Sequence, residues 1–555
     1  MKKYQGALLI MLLISGCSFV PITGPVNNGL DIGKVERTSL ISDSPQPPTI
    51  GMTKLEIAAG FLAANENTIG DFSIARAYLA SFLAFEWIPS AEIQVFETSL
   101  ILKEVSETVV AAQGVPSLLV DQQRRPKLPT QTDLKSFELN FVKENGEWRI
   151  TNPPGSIVMS SFAFQRNYTV TNLWFFNESK SQLVPDFLVV AKQSDLAPQL
   201  IRALFAGSST WLKPATLNMF DPEFLSGLAT TQRIGDSITV DFDAEILRMT
   251  NQQRVLLISQ MAQTLKQVDN LTGLRITTGG QLLNIQGVKN PLDLTTGSWL
   301  GQVIDQEVKL YALSADGVLN KPLENENLDS WLVRFANPSS LAISPNEAQL
   351  AGYLPNSSEL YLGDRLQNPK LVARVANLSD LNFDALGTLW FLNRSNRNVY
   401  GFDGSNLLPA QIQLPQGNVL NHAMLAPGNV RVALVAQAGA RSNLLIARLK
   451  QTSSEIKFTR IQKLISINGE VLDLNWYSPT QVILLVNFPT QQDLVALIID
   501  IATAAQTILR LPAETKSLVA NANQSIAVVN GSGEIWLRNQ GMWSQFGTAQ
   551  AVTFP

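Results

Sequence analysis

Cysteine and histidine are almost absent, with Cys17 and His422 standing alone in 555 residues. One of each cannot make a disulfide, a zinc site of Cys and His, or a Cys-His protease. Any Ser-His-Asp triad would have to use His422. Charge is sparse as well: charged residues are 16% of the chain, and 42 Lys and Arg fall short of 46 Asp and Glu. No segment is strongly basic, so the footprint that nucleic-acid binding needs is missing. Beyond residue 16 no run of about 18 apolar residues occurs, and the body is expected to hold no membrane-spanning helix. Walker loops, Rossmann fingerprints and nucleophile elbows are also missing.

What is present begins at the N-terminus. Lys2 and Lys3 precede an apolar stretch, Gly6 to Ile14, and Ile14-Ser15-Gly16-Cys17 fits a lipobox. The stretch is too short to cross a bilayer core, which takes about 20 residues. Residues 1–16 therefore read as a lipoprotein signal peptide, and Cys17 as the site of S-diacylglycerol and N-acyl modification that anchors the mature chain. Cleavage removes Lys2 and Lys3 and no acid, which makes the net charge of −4 more negative by those two charges. Residues 17–50 are rich in Pro, Gly, Ser and Asn without apolar periodicity, the composition of a flexible tether.

From Thr53 the pattern turns helical. Leu55, Ala58, Ala59 and Leu62 recur at three and four, as do Ile74, Ala77, Tyr78 and Phe82, which predicts two helices capped at Thr53 and Asp71. Alternation over 92–97, 137–142 and 148–150 then predicts strands, so residues 51–185 are expected to form an α+β domain with a cone-like sheet cradling helices. The loop holding Arg124, Arg125 and Lys127 reads as a solvated hairpin tip.

A second α+β unit is expected over 186–292. It has a strand at 187–191, a helix from Asn251 to Val268, and a hairpin turning at Gly279-Gly280. Asp241 and Asp243 share one strand face and could hold a cation or act as acid and base, but no third ligand accompanies them. They read as solvent-facing or capping residues.

Residues 300–555 carry short β-branched stretches punctuated by turns, with related beginnings near Leu341, Leu381, Asn421, Leu472 and Ser517. Spacings of roughly 40 to 50 residues match one four-stranded blade each, which predicts an all-β propeller of five or six blades closed with strands from both ends. A pair of β-sandwiches is the alternative architecture. His422, lacking an evident partner, reads as a packed or exposed histidine. The ten tryptophans are dispersed as core anchors rather than gathered into a sugar-stacking platform.

The order of parts resembles the actinobacterial LpqB lipoprotein family. The resemblance rests on Gly60-Phe61-Leu62-Ala63-Ala64, Ala75-Arg76-Ala77-Tyr78-Leu79, Trp87-Ile88-Pro89, Pro154-Gly155 and Leu183-Val184-Pro185-Asp186. It continues through Leu204, Gly207, Trp211-Leu212-Lys213-Pro214-Ala215, Val240-Asp241, Gln260 and Thr264-Leu265. Ser208 departs from the family's proline after the glycine, which points to a looser turn. The resemblance implies that 186–292 is a GerMN domain and that the protein is a non-enzymatic accessory on the outer face of the cell membrane. It implies as partner the ectodomain of a sensor histidine kinase of the Mtr two-component type, with effects on envelope growth and division. No catalytic, cofactor-binding or metal-ligating residue carries over; Cys17 alone does. A cell-wall glycan binder, or a glycosidase using carboxylates such as Asp384 or Asp473, is the competing expectation.

Overall fold

The computed structural model describes residues 45–555 apart from 68–70, 130–134, 193, 221–229, 297–308, 316, 329–337, 365–367 and 540. Cys17, the signal peptide and most of the tether lie outside the described residues, and so do Trp299 and Trp331.

The first domain starts with helix Lys54–Asn65. Thr53 caps it reciprocally: its hydroxyl accepts from Glu56 N at 3.3 Å, and the Glu56 carboxylate accepts from Thr53 N at 2.7 Å. The buried face, Ile57, Ala58, Phe61 and Ala64, packs on Val110, Leu139, Phe141 and Ile150. Those residues belong to a sheet ordered Ile101–Ser106, Val109–Gly114, Lys135–Glu144, Glu147–Ile150. A second sheet pairs Ile93–Phe96 with Pro116–Val120 and, in parallel, with Ile157–Ser160. Strand Val109–Gly114 leads directly into Pro116–Val120. The two sheets thereby join in the bent wall expected to cradle the helices.

The second expected helix is not continuous. Two short turns, Ser73–Ala77 and Ser81–Ala84, replace it, because Ala80 N donates to Ile150 O at 2.8 Å and Ile150 N to Tyr78 O at 3.0 Å. Pairing with the sheet edge takes the backbone groups that an unbroken helix would have used.

The second unit opens earlier than the spacing suggested. Tyr168–Asn177 pairs antiparallel with Leu183–Ala191 along its length, and Leu173 and Phe175 enter the same core as Leu200, Leu204, Ile238, Val240, Leu257 and Met261. The expected edge at Asp186 falls inside this hairpin, whose other end, Tyr168 and Val189, packs with Ile93, Val95 and Ile157 of the first domain. Ser237–Phe242 runs parallel to Gly273–Thr278, with helix Asn251–Leu265 in the crossover. The buried Gln260 and Thr264 on that helix accept from Met219 N and Trp174 N, both at 3.1 Å. Gly279 and Gly280 turn the following hairpin at φ 57° and 77°, a left-handed pair that favours glycine.

Among the described residues six four-stranded groups follow, which gives the propeller six blades. Blade one combines Tyr311–Leu313, Leu319–Lys321 and Glu326–Leu328 with the C-terminal strand Ala551–Thr553. Blades two to six start with Ser340–Ile343, Leu378–Phe383, Val419–Leu425, Glu470–Ser478 and Thr515–Ala520. Each of these starting strands touches the next around the axis, and Ala551–Thr553 touches both the first and the last of them. The ring is therefore closed by material from both ends of the domain. Blades three and four also share their outer strands through a parallel pairing of Ala410–Ile412 with Ile456–Phe458, giving one eight-stranded sheet. No helix among the described residues is long and apolar enough to cross a membrane.

Candidate functional site

Two polar clusters are buried where apolar contacts would be the default. One lies where the three domains meet. Arg125 of the N-terminal domain and Asp186 of the second form an ion pair at 3.4 Å, their side chains only 6% and 5% exposed. The Arg125 guanidinium also donates to Phe187 O at 3.0 Å and Gly207 O at 2.6 Å. Asp186 accepts from Ser209 N at 2.5 Å, Ser209 Oγ at 3.0 Å and Phe187 N at 3.0 Å. From the propeller, buried Arg431 lies over the rings of Phe187 and Trp211 at 5.4 and 5.5 Å. Burial pulls the Arg431 guanidinium down to about 10, against the upward pull of the Asp186 carboxylate, so it keeps its charge at neutral pH.

Around this charge sits an apolar and hydrogen-bonded seam. Val184, Leu212, Ala215 and Val430 form one buried cluster. Trp211 Nε1 donates to Arg460 O at 3.1 Å, and Arg448 donates to Trp211 O at 2.6 Å. Gly428 is required by close approach, since a Cβ there would stand 2.8 Å from Val184 Cγ2. The loop expected to be a solvated tip thus supplies the junction: Arg125 turns inward to Asp186, Arg124 lies over Tyr168 at 5.5 Å, and only Lys127 remains largely exposed, paired with Asp121. Ser208 does not loosen its turn either. Its hydroxyl meets Thr216 Oγ1 at 3.0 Å while Ser209 is held by Asp186.

The second cluster lies among the strands nearest the propeller axis. Blades three to six each shift register in the starting strand, at Ser379/Asn382, Leu420/His422, Val471/Asp473 and Thr515/Ser517. A bulge re-aims its side chain, and three of these bulges hold or adjoin Asp380, His422 and Asp473. His422 does have a partner. Its Nδ1 lies 2.9 Å from Asp380 Oδ1, and its Nε2 lies 3.2 Å from Val471 O and 3.3 Å from Arg394 Nη2. The carboxylate and the carbonyl favour the charged imidazole, and the Arg394 guanidinium opposes it. Burial opposes that charge, but the Asp380 carboxylate, helped by Asp473, holds His422 above its ordinary value. Burial likewise pushes the Asp473 carboxyl up to about 6 although it accepts from Leu518 N at 2.9 Å. Asp380 also accepts from Ala423 N at 2.9 Å. These bonds run from blade to blade, three to four, four to five and five to six, and Nε2 faces a carbonyl and a guanidinium rather than a hydroxyl.

The carboxylates put forward for glycosidase chemistry are committed elsewhere. Asp384 is buried and accepts from Leu386 N, Thr388 N and Trp390 Nε1 at 2.8 to 2.9 Å, holding the turn between two strands of blade three. Asp241 accepts from Thr277 Oγ1 at 2.5 Å and Gly280 N at 2.9 Å, bonds that lower its pKa, while exposed Asp243 precedes the turn Ala244–Arg248. Among the described residues no group of three or more His, Cys, Asp and Glu could hold a metal ion. A cavity of about 450 Å³ beside blade three is lined by Arg397, Asn398, Ala410, Ile412 and Leu420, and the Arg397 guanidinium is spent on Leu420 O and Asn421 Oδ1. Sequence reasoning missed Arg431. Its signal is a lone arginine opening the apolar run Val432-Ala433-Leu434-Val435-Ala436.

Three family models match in series: lipoprotein LpqB, N-terminal domain, over residues 47–165; sporulation and spore germination over 172–284; and the lipoprotein LpqB beta-propeller domain over 306–555. The chain belongs to the LpqB lipoprotein family. Lipoprotein LpqB of Cutibacterium acnes is 25% identical over 506 residues, 85% of this chain and 84% of that one. Lipoprotein LpqB of Streptomyces coelicolor is 24% identical over 500 residues, 80% and 78%. A chain of the nidogen/laminin complex superposes on 45% of this chain with a TM-score of 0.34 and 10% identity, too loose a likeness to carry inference. Several words that mark the LpqB resemblance, Leu183 to Asp186 and Trp211 to Ala215, stand at the domain junction.

Asp186→Asn leaves Arg125 without its ion pair and Arg431 without its nearby counter-charge, and is expected to cost about 3–5 kcal/mol. Arg374→Gln, which breaks the exposed pair with Glu359, is expected to leave the midpoint nearly unchanged. Denaturant midpoints of the two variants check the contrast. Because the folded pKa of His422 is raised, its contribution is full below its ordinary value of 6.5 and fades as pH climbs through the folded value. The midpoint gap between the native chain and His422→Gln is expected to shrink as pH rises above neutrality, and a gap that widens would contradict the assignment.

Proposed function

We propose that this LpqB-family chain is an extracytoplasmic lipoprotein, anchored through acylated Cys17, that binds the ectodomain of a sensor histidine kinase and modulates its signalling during envelope growth and division. The observation that carries the reading is the serial match, behind a lipobox, of two LpqB domain models with the sporulation and spore germination model between them. The partner comes from the family resemblance. Buried charges favour binding over turnover: Asp384, Asp380, His422 and Asp473 are occupied with bonds inside and between blades. A body whose domains are joined by buried charge presents its surfaces in one fixed relation, which suits recognition of a folded ectodomain. The glycan reading gains no such support, since its candidate acids have no free geometry for a sugar.

In-membrane crosslinking of the full-length chain followed by mass spectrometry is expected to recover a histidine kinase ectodomain. Recovery of a different partner in repeated experiments, with no kinase among the products, would contradict the proposal.

A further inference from the structure

The N-terminal domain leaves large apolar side chains in water at several places, Ile101 and Phe162 among them, and one group stands at the end where the chain from Cys17 arrives. Ile50 is 93% exposed, Phe82 64% and Phe85 89%. One hairpin tip brings them together. Glu144 and Glu147 pair across that tip; Gly51 N donates to Glu147 Oε2 at 2.9 Å, and Ser81 N donates to the Glu144 carboxylate at 3.1 Å. Ile50 and Phe82 are the next residues along from those two donors. Phe85 follows Phe82 by three positions, on the same side of the short helical turn. Tyr78 Oη donates to Gln46 O at 2.8 Å, so the point where the tether joins the domain is fixed beside the same segment.

Scattered exposed hydrophobic residues need no explanation, but a group of them at one end marks a contact. We infer that Ile50, Phe82 and Phe85 form a bilayer-contacting tip, which inserts at the boundary of headgroups and acyl chains and sets the orientation of the protein on the membrane. The inference rests on the proposed acyl anchor. The 28 steps from Cys17 to Pro45 can reach at most about 95 Å, and of the whole folded body only this end is tied to the anchor directly. Charge argues for apolar insertion rather than attraction to anionic lipid, because the surrounding groups, Glu86, Glu144 and Glu147, are acidic. The acyl chains on Cys17 hold the protein at the bilayer by themselves, so insertion of these aromatic and aliphatic side chains adds orientation rather than attachment.

The test is hydrogen exchange on the full-length acylated chain in phosphatidylcholine vesicles, compared with the Cys17→Ser chain free in solution at equal concentration. Backbone amides over residues 46–52 and 78–89 are expected to exchange about fivefold or more slowly on the vesicles. Phe82→Ser/Phe85→Ser is expected to float with the vesicles yet lose that protection, and added anionic lipid is expected to leave it unchanged. Flotation without protection overturns the tip while sparing the anchor. Should the chain fail to float, the anchor reading falls, and the same exchange measured on a polyhistidine-tagged chain held by nickel-chelating lipid decides the tip alone. Protection that appears without vesicles and grows with protein concentration would assign the patch to a second copy, and protection only on adding a kinase ectodomain would assign it to that partner; either result overturns the proposal.

Discussion

The buried charge at Arg125, Asp186 and Arg431 is the constraint on which the arrangement of the molecule depends. Taking a carboxylate and two guanidinium groups out of water is costly, and their mutual attraction offsets that cost only when all are in place. Each comes from a different domain. Asp186 also fixes the turn at Ser209, and Arg431 brings the propeller against Phe187 and Trp211. Apolar seams tolerate sliding, whereas a charged group sealed in a protein interior tolerates little. The pairing therefore selects one relation among the three domains rather than adding much net stability.

The propeller solves a related problem at its axis. Its blades are apolar on their packed faces, and apolar packing alone does not distinguish one blade neighbour from another. Repeated bulges aim Asp380, His422 and Asp473 along the ring, where each bonds to the backbone of the following blade. The lone histidine is thus a part of the ring's stitching. Its elevated proton affinity follows from the two carboxylates that surround it, against the resistance of burial and of Arg394.

Much of the architecture was legible from local pattern. The cap of Thr53 with Glu56 and the Gly279-Gly280 hairpin are each encoded within a few residues, and the blades in the recurrence of similar strand beginnings. What escaped was non-local. Leu173, Phe175 and Phe176 belong with the second unit because of the core they enter, which no window around Asp186 reports. Residues 71–83 carry a helical pattern, but the backbone of Tyr78 and Ala80 bonds to Ile150, seventy residues away in sequence. Arg125 reads as a surface residue among Arg124, Pro126 and Lys127 until Asp186 is placed beside it, and His422 reads as unpartnered until the ring brings Asp380 to it. Charged partners contributed by separate domains leave no periodicity to find.

Pulsed electron-spin distance measurement on the Cys17→Ser chain, with labels at Lys103→Cys in the N-terminal domain and Ser454→Cys in the propeller, tests the account most directly. Both positions are exposed and away from the junction residues. A single narrow distance distribution that broadens when Asp186→Asn is added is the predicted result. A broad distribution in the chain with Asp186 intact, or a narrow one that Asp186→Asn leaves unchanged, would contradict the claim that buried charge fixes the three domains as one body.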